Sequence, residues 1–569
     1  MQKNGINPTR RALLASGAAV AGLAAVGTPI RLAQAATANR PNIATPAGQA
    51  MIAIYEQAVK AMKDPAINNP PQPQSWTFQA YIHSLPYDPQ DPNSDGYVNG
   101  SASFKAKIDQ IYGKNPTGAA ASWKKAALAC WSTCPHGSPY FLPWHRWYMY
   151  YFEQIIRSVS KQPDFALPYW DYGASTSKYL QLPPQFQDPA SALYEAIRGN
   201  GFTDPLNLVS QTQPMNKNGY LGFPLVDYSG SLVAAAYYPA DVGSPLVFPP
   251  SAGWYGYGYT GRTETQPHDN VHDGVGGLMG NVPTAAHDPI FYMHHCQIDH
   301  LWASWQSYPG NDTINFAPPG QGTAAQPSKA DWDAKVFSFV DGMGRLVTAT
   351  AQGALNYKAL GYGYDSLAPK PGDSAVMAST PKSAPVAALA SAGATASMIP
   401  VSTVAASQNV AVGGGGTTLT LTPVPQANLQ GTARATASPA TPETLVLKGL
   451  TVQKRPPAPL YVFVNLPAGT TAAVGGDYYA GPINLFKVGT VGAAGGNAAG
   501  AGGTGHAGHG AGHGMDTASF VYDVSKLLET QRQKGIWSGG PVTVTITTIG
   551  QQPGAGTTYV NIGSVELKD

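Results

Sequence analysis

Six histidines in two groups set the chemistry open to this chain: His83, His136 and His145 in its first third, and His268, His272 and His295 just past its middle. Neutral imidazole is a good donor to copper, zinc, iron and nickel alike, so residue type alone leaves the metal open. Three plus three histidines, with no carboxylate or thiolate in an obvious ligand slot, describe two three-imidazole sites. Facing each other, such sites can hold a pair of soft-to-borderline ions and leave open positions for a small molecule between them.

Spacing constrains the elements that must present these side chains. His268 and His272 are four apart, so on a helix both project from one face and can chelate one ion. The same spacing also serves ordinary helix packing. Asp269 follows His268 where a zinc protease helix has glutamate, so that chemistry lacks its general base. His294 and His295 are adjacent and point about 100° apart on a helix. Both cannot face one metal, and periodicity alone does not choose between them. His136 and His145 lie about 2.5 helical turns apart, on opposite faces. They share an ion only if His136 sits on a loop and His145 on the helix after Pro143. His83 comes from a separate segment, and its neighbours Phe78, Tyr81 and Ile82 are equally compatible with a buried structural histidine.

A chain of 569 residues forms two or three domains around a large core. Charged residues are only 12% while Gly (64) and Pro (50) abound, which predicts many turns and long loops. Residues 36–365 read as one aromatic-rich catalytic unit, mainly helical. Met51, Ile54, Tyr55, Val59 and Met62 predict a helix over about 46–63. Others are predicted from Pro143 to about Val159, and from Asp288-Pro289, an N-cap and first-turn pair, through Trp302. The stretch 200–265 reads as long loops. An Ala/Ser/Pro-rich linker is expected over 366–411. Beyond it, alternation in Thr417–Thr422, Leu445–Val452, Leu460–Asn465 and Val542–Thr548 predicts a C-terminal β-sandwich over 412–569. A Gly/Ala-rich insertion at 491–515 interrupts it. His506, His509 and His513 in that insertion read either as part of a solvated loop or as a copper-capturing tract.

The first 35 residues read as a cleavable export signal. Arg10-Arg11 precedes a weakly apolar run from Ala12 to Val26, followed by Arg31 and a small-residue end, Ala33-Gln34-Ala35, in the manner of a twin-arginine leader. Without its four basic residues the chain's 34 Lys and Arg fall to 30, against 32 Asp and Glu. With no basic block, nucleic acid is a poor partner. No other apolar run is long enough to span a membrane. The expected location is therefore periplasmic or secreted. Three cysteines are too few for a disulfide framework, although one pair is possible.

The residues around the histidines resemble those of a known family. His136-Gly-Ser-Pro-Tyr-Phe141-Leu-Pro-Trp144-His145-Arg146, with Glu153 after it, is similar to the copper A signature of the tyrosinase and polyphenol oxidase family of type 3 dicopper proteins. Asp288-Pro-Ile-Phe291-Tyr-Met-His-His295-Cys-Gln-Ile-Asp299 resembles the copper B signature. His268-Asp-Asn-Val-His272 with Gly276-Gly277, and Ser75-Trp76 through His83, resemble the segments that supply the remaining ligands.

The resemblance implies a four-helix bundle around two copper ions, with His83, His136, His145, His268, His272 and His295 as ligands. It selects His295 over His294 and leaves His287 and His294 as packing or supporting residues. It also implies O₂ as co-substrate and small phenols as substrates: oxidation of o-diphenols to o-quinones, with ortho-hydroxylation of monophenols as a further activity. An o-aminophenol oxidase is the alternative, and a hemocyanin-like O₂ carrier a more distant one.

By the same resemblance Cys134 is positioned for a thioether to His136, and Glu264 for holding a water. Val282 falls at the gate over the metals, and Tyr362-Gly-Tyr364 closes the domain against Arg40. Asp269 stands where monophenol-hydroxylating members often carry Asn, and His300 replaces a frequent Arg. The C-terminal domain is expected to shield the site until it is displaced. A copper chaperone and the twin-arginine export machinery are the candidate protein partners.

Overall fold

The computed structural model describes residues 38–86, 101–172, 182–198, 263–370, 403–423, 443–491 and 517–568, short breaks aside, with 228–232 and 237. The leader, most of the 200–265 stretch, residues 371–402 and the histidine-bearing insertion lie outside the described residues.

Helices build the first part. Pro46–Met62 starts on Thr45, whose hydroxyl accepts the Gly48 N–H at 3.1 Å, with Pro46 in the first turn. Its buried stripe, Ile52, Tyr55, Val59 and Met62, turns toward the helix Phe141–Ser160. That second helix begins two residues before the predicted Pro143. A third, Ile290–Ser307, is buried along almost its whole length and runs five residues past Trp302. Phe152 and Tyr292 stack between these two helices at 3.6 Å and 9°. Pro289, not Asp288, is the N-cap of the third helix, which starts at Ile290, although Asp288 Oδ1 accepts the Ile290 N–H at 3.1 Å. Arg198 clamps both oxygens of Asp288 at 2.7 and 2.6 Å and fixes that start.

Two small sheets accompany the helices, β1 (Ala38–Arg40) beside β4 (Tyr362–Tyr364) and β2 (Val336–Val340) beside β3 (Leu346–Thr350). The second part is a β-sandwich. One sheet has the order β10 (Tyr479–Ile483), β9 (Leu460–Val464), β12 (Thr543–Thr548), β6 (Thr417–Thr420). The other runs β11 (Ala518–Asp523), β8 (Thr444–Val452), β13 (Thr558–Lys568), β5 (Thr403–Gly413), β7 (Thr422–Pro423). Every pairing in these two sheets is antiparallel. Residues 403–411, expected in the linker, are instead strand. Val410 and Val412 enter the sandwich core while β5 pairs along β13, so the polar, alanine-rich composition there marks an outer face rather than a linker.

Strand β9 is buried on both sides. Leu460, Val462 and Val464 point into the sandwich, and Tyr461 and Phe463 join the core of the helical part. The two parts therefore share a packed boundary. No helix among the described residues is long and apolar enough to cross a membrane.

Candidate metal centre

The six histidines converge in the helical part, presented by four helices, one π-turn and one loop. His83 is the last residue of the helix Trp76–His83, and His145 lies in the first turns of Phe141–Ser160. His136 sits in the loop after the helix Gly118–Cys130, as its spacing from His145 requires. His268 and His272 do not share one regular helix. Glu264–Asp269 is a wider π-turn around Pro267, which lacks an N–H to donate, and a helix Asn270–Val275 follows. Their rings still meet, 4.5 Å apart at 70°. His295 comes from Ile290–Ser307.

Within the first group, ring centroids are separated by 5.0 Å (His83–His136), 6.0 Å (His83–His145) and 5.9 Å (His136–His145). In the second, His295 lies 4.9 Å from His268 and 5.5 Å from His272. The groups face each other: His145 and His295 stack at 4.3 Å and 13°. Phe141 and Phe291 wedge against both, 4.4 Å from His145 and 4.1 Å from His295.

The other ring nitrogens explain the aim of these rings. Nδ1–H of His83 donates to the Val282 carbonyl at 3.1 Å, that of His145 to Phe141 at 2.8 Å, and that of His272 to Met279 at 2.8 Å. Each bond fixes the tautomer and leaves Nε2 with a lone pair. The Met279 and Val282 carbonyls are brought in by the turn at Gly276-Gly277. Gly277 has φ +55°, and a Cβ there would fall 1.5 Å from the Ile197 carbonyl oxygen. Val282 thus acts on His83 through its backbone, and its buried side chain adds to the core.

His268 is different. Its Nδ1–H donates to the Asp269 carboxylate at 2.7 Å and to the Glu264 carbonyl at 3.2 Å. Asp269 is therefore engaged by the neighbouring ring, and Glu264 is buried beside it.

The donor set fits metal. Nε2 of His83 and of His268 are buried with no hydrogen-bond partner. Nε2 of His272 and His295 approach to 3.3 Å, about the edge of a tetrahedral site with bonds of roughly 2.0–2.1 Å. Burial holds His83, His268, His272 and His295 well below the ordinary imidazole range, which keeps them in the neutral form that binds metal. Cys134 places its sulfur 3.3 Å from His145 Nε2 and 3.7 Å from His136 Nε2; all three cysteines are buried thiols, so the open disulfide option is not taken up. His294 also lies in the second cluster, stacked on His268 at 5.3 Å, but on the side of Tyr172 rather than His145.

A network ties the two histidine groups together. Asp299, four residues after His295, accepts from Arg146 at 2.5 Å, Arg40 at 3.0 Å, Tyr362 at 2.5 Å and Tyr364 at 2.6 Å. Burial pushes the Asp299 carboxyl up, but Arg146 and Arg40 outweigh it and hold it below the usual range. The Arg40 guanidinium lies 3.8 Å over the Tyr362 ring, as expected for that tyrosine pair, and donates to Glu153 at 2.9 Å. His300 packs edge-on against Tyr364 at 4.9 Å but makes no hydrogen bond to this charge cluster. It stacks on Tyr169 at 4.2 Å and bonds the Ser366 carbonyl at 2.9 Å.

The sandwich contributes a residue that no sequence motif marked. Phe486, 1% exposed, lies flat on the His272 ring at 3.9 Å and 12°, with His268 and His136 at 5.6 and 5.8 Å. Its segment is fastened by three polar contacts. Asn484 donates to Asn270 at 3.1 Å, the Leu485 N–H to Asp273 at 2.7 Å, and Arg455 to Asn281 at 3.4 Å. Arg455 also holds the Leu485 and Val488 carbonyls at 2.5 and 2.6 Å.

Comparison with known proteins agrees with this geometry. Residues 73–308, which include all six histidines, match the common central domain of tyrosinase. Residues 400–569 match a domain of unknown function. A tyrosinase of Hahella sp. (strain CCB-MM4) is 30% identical over 328 residues, 54% of this chain and 59% of that protein. Polyphenol oxidase A1 of Vicia faba, a chloroplastic protein, is 32% identical over 245 residues, 41% of this chain and 37% of its own length. The chain thus spans well under two thirds of these relatives. Latent apple tyrosinase shares the fold, with a TM-score of 0.51 and 20% identity over 94% of this chain and 98% of that one. Within the matched residues 73–308 the two buried histidine clusters suit a dicopper centre.

Proposed function

We propose that this protein is a copper phenol oxidase that uses O₂ to convert o-diphenols to o-quinones, kept latent by its C-terminal domain. His83, His136 and His145 would hold one copper and His268, His272 and His295 the other, and the pair when bound would supply O₂ binding and two-electron chemistry. Two diphenols and one O₂ give two quinones and two waters.

The observation that carries the reading is Phe486. An aromatic ring already lies parallel to His272 between the two histidine groups, in the space a phenol ring would fill. Phe141 on His268 at 4.8 Å and Phe291 on His295 at 4.1 Å add apolar rings to the lining of the centre. Asp269 acts as the partner of His268, so one of the two acids expected to orient a deprotonating water is already committed. This favours diphenols, with monophenol hydroxylation, assisted by Glu264, as the slower activity. Val282 positions His83 and borders the entrance.

The Cys134 sulfur lies 3.7 Å from His136 Nε2 and 3.3 Å from His145 Nε2, proximity that supports a thioether to His136, formed with O₂ taking up the thiol and ring hydrogens; intact mass after copper loading, lower by two hydrogens, tests it. Arg10-Arg11 and the run after them support export through the twin-arginine route, with the copper acquired before transport, either unaided or from a chaperone.

A substrate panel of tyrosine, a catechol and an o-aminophenol, run on copper-loaded protein before and after limited proteolysis between 366 and 402, ahead of strand β5, tests the function. Catechol turnover that rises on clipping is the expected result. Preference for o-aminophenol would reassign the substrate, and no turnover of any of the three would refute the enzyme reading.

A further inference from the structure

A cavity of about 280 Å³, separate from the histidine centre, lies alongside the helix that ends in His83. Its walls carry two opposite charges, Lys63 and Glu195, and a neutral imidazole, His287, set against the indole of Trp76 and the side chain of Leu278. No ion pair joins Lys63 to Glu195. Among the described residues the Lys63 ammonium makes one hydrogen bond, to the Ala192 carbonyl at 2.9 Å, and lies 5.3 Å over the Trp76 ring. Glu195 commits one oxygen to the Ile197 N–H at 3.1 Å.

His287 is 8% exposed. Its carbonyl accepts from Trp76 at 3.1 Å, and its Nε2 is buried with no partner. Burial pushes Lys63 down and Glu195 up, so each charge sits where a matched counter-charge is favoured over water.

We propose that this cavity binds a free α-amino acid with an apolar side chain, its carboxylate on Lys63 and its ammonium on Glu195. A simple anion would meet Lys63 but face Glu195, and a simple cation would meet the reverse. Only a zwitterion satisfies both walls, and Trp76 and Leu278 offer its side chain an apolar surface. The site is independent of copper and of the oxidase reading. Its occupant would nonetheless rest against both elements that orient His83, namely the helix Trp76–His83 and the segment 278–287.

The test uses the full chain, with and without copper, titrated with phenylalanine, benzoate and phenethylamine by calorimetry. Phenylalanine carries no phenol to oxidise. It should bind equally in both forms of the protein, and each single-charge probe should bind roughly tenfold more weakly or worse, as expected for loss of a charge-assisted hydrogen bond. Lys63→Met and Glu195→Gln should each weaken phenylalanine by a similar factor, while Lys63→Arg, which keeps the charge, retains binding and controls for folding. Benzoate binding as tightly as phenylalanine, or phenylalanine binding unmoved by Lys63→Met and Glu195→Gln, would overturn the proposal, as would no binding at all.

Discussion

Replacing Phe486 by alanine should activate the intact chain without any proteolysis. The ring is almost fully buried, so truncation removes the packing of one core phenylalanine, about 3–5 kcal/mol when the surroundings cannot collapse. Phe486 packs chiefly on imidazole rings rather than on an aliphatic core, so the lower end applies. At 1.4 kcal/mol per decade this weakens closure by roughly 10²-fold.

The three polar contacts from Asn484, Leu485 and Arg455 remain, so the domain stays docked over a ring-sized void beside His272. A catechol fits such a void and a bulky diphenol does not. The assay is O₂ uptake by copper-loaded full-length and clipped protein. Wild type should lag its clipped form by about 10²-fold or more on catechol, and Phe486→Ala should close most of that gap. For a bulky diphenol the gap should persist, and the two clipped forms should be equal. If Phe486→Ala stays as silent as wild type while clipped protein is active, Phe486 is not the block. If intact and clipped wild type are equally active, there is no latency to explain.

Three further outcomes follow from the site. Asp269→Ala should lower copper affinity roughly 10–100-fold by freeing His268 Nδ1, with Asp269→Asn losing less because the amide oxygen still accepts; competition against a chelator reads this, and equal affinity in all three proteins would refute the role. Asp299→Asn leaves Arg40 and Arg146 buried without their shared anion and should cost about 3–5 kcal/mol in denaturant unfolding of the helical domain, whereas a loss below about 1 kcal/mol would mean the network is not structural. His287 and His300 are each held down to about 4, by burial first of all. The unfolded chain takes up their protons below about pH 6.5 and the folded chain does not until about pH 4, so stability is lost as pH falls. The loss is roughly 2 kcal/mol per histidine between pH 7 and pH 5, and His300→Gln should remove one share of it from the denaturant midpoint of copper-free protein.

Much of the centre can be read from spacing because helical geometry is local. The nine-residue spacing from His136 to His145 forces a loop and a helix, and the structure has both. The adjacent pair His294 and His295 must diverge, and only His295 turns toward His145. What spacing does not carry is the direction of backbone carbonyls. The Val282 and Met279 oxygens reach His83 and His272 only because Gly276-Gly277 turns the chain back against Ile197, a long-range contact. Asp269 shows the same limit. Its position relative to a water was open from the sequence, and a π-turn around Pro267 directs it to its neighbour's ring instead.

Phe486 was invisible for a related reason. It is one of 16 phenylalanines, carries no motif, and reaches His272 only through the docking of one domain on another. A weaker signal of that docking does exist in the sequence. Leu460-Tyr-Val-Phe-Val464 is apolar at every position, and a strand with no polar face must be covered on both sides. In an antiparallel sandwich one face is covered by the partner sheet, so the other must meet a further layer, and the only large layer available is the helical domain. Tyr461 and Phe463 do meet it, and Tyr479–Ile483, the neighbouring strand, leads within three residues to Phe486. The doubly buried strand therefore locates the docked edge, and the aromatic residue that closes the metal centre lies where the chain leaves that edge.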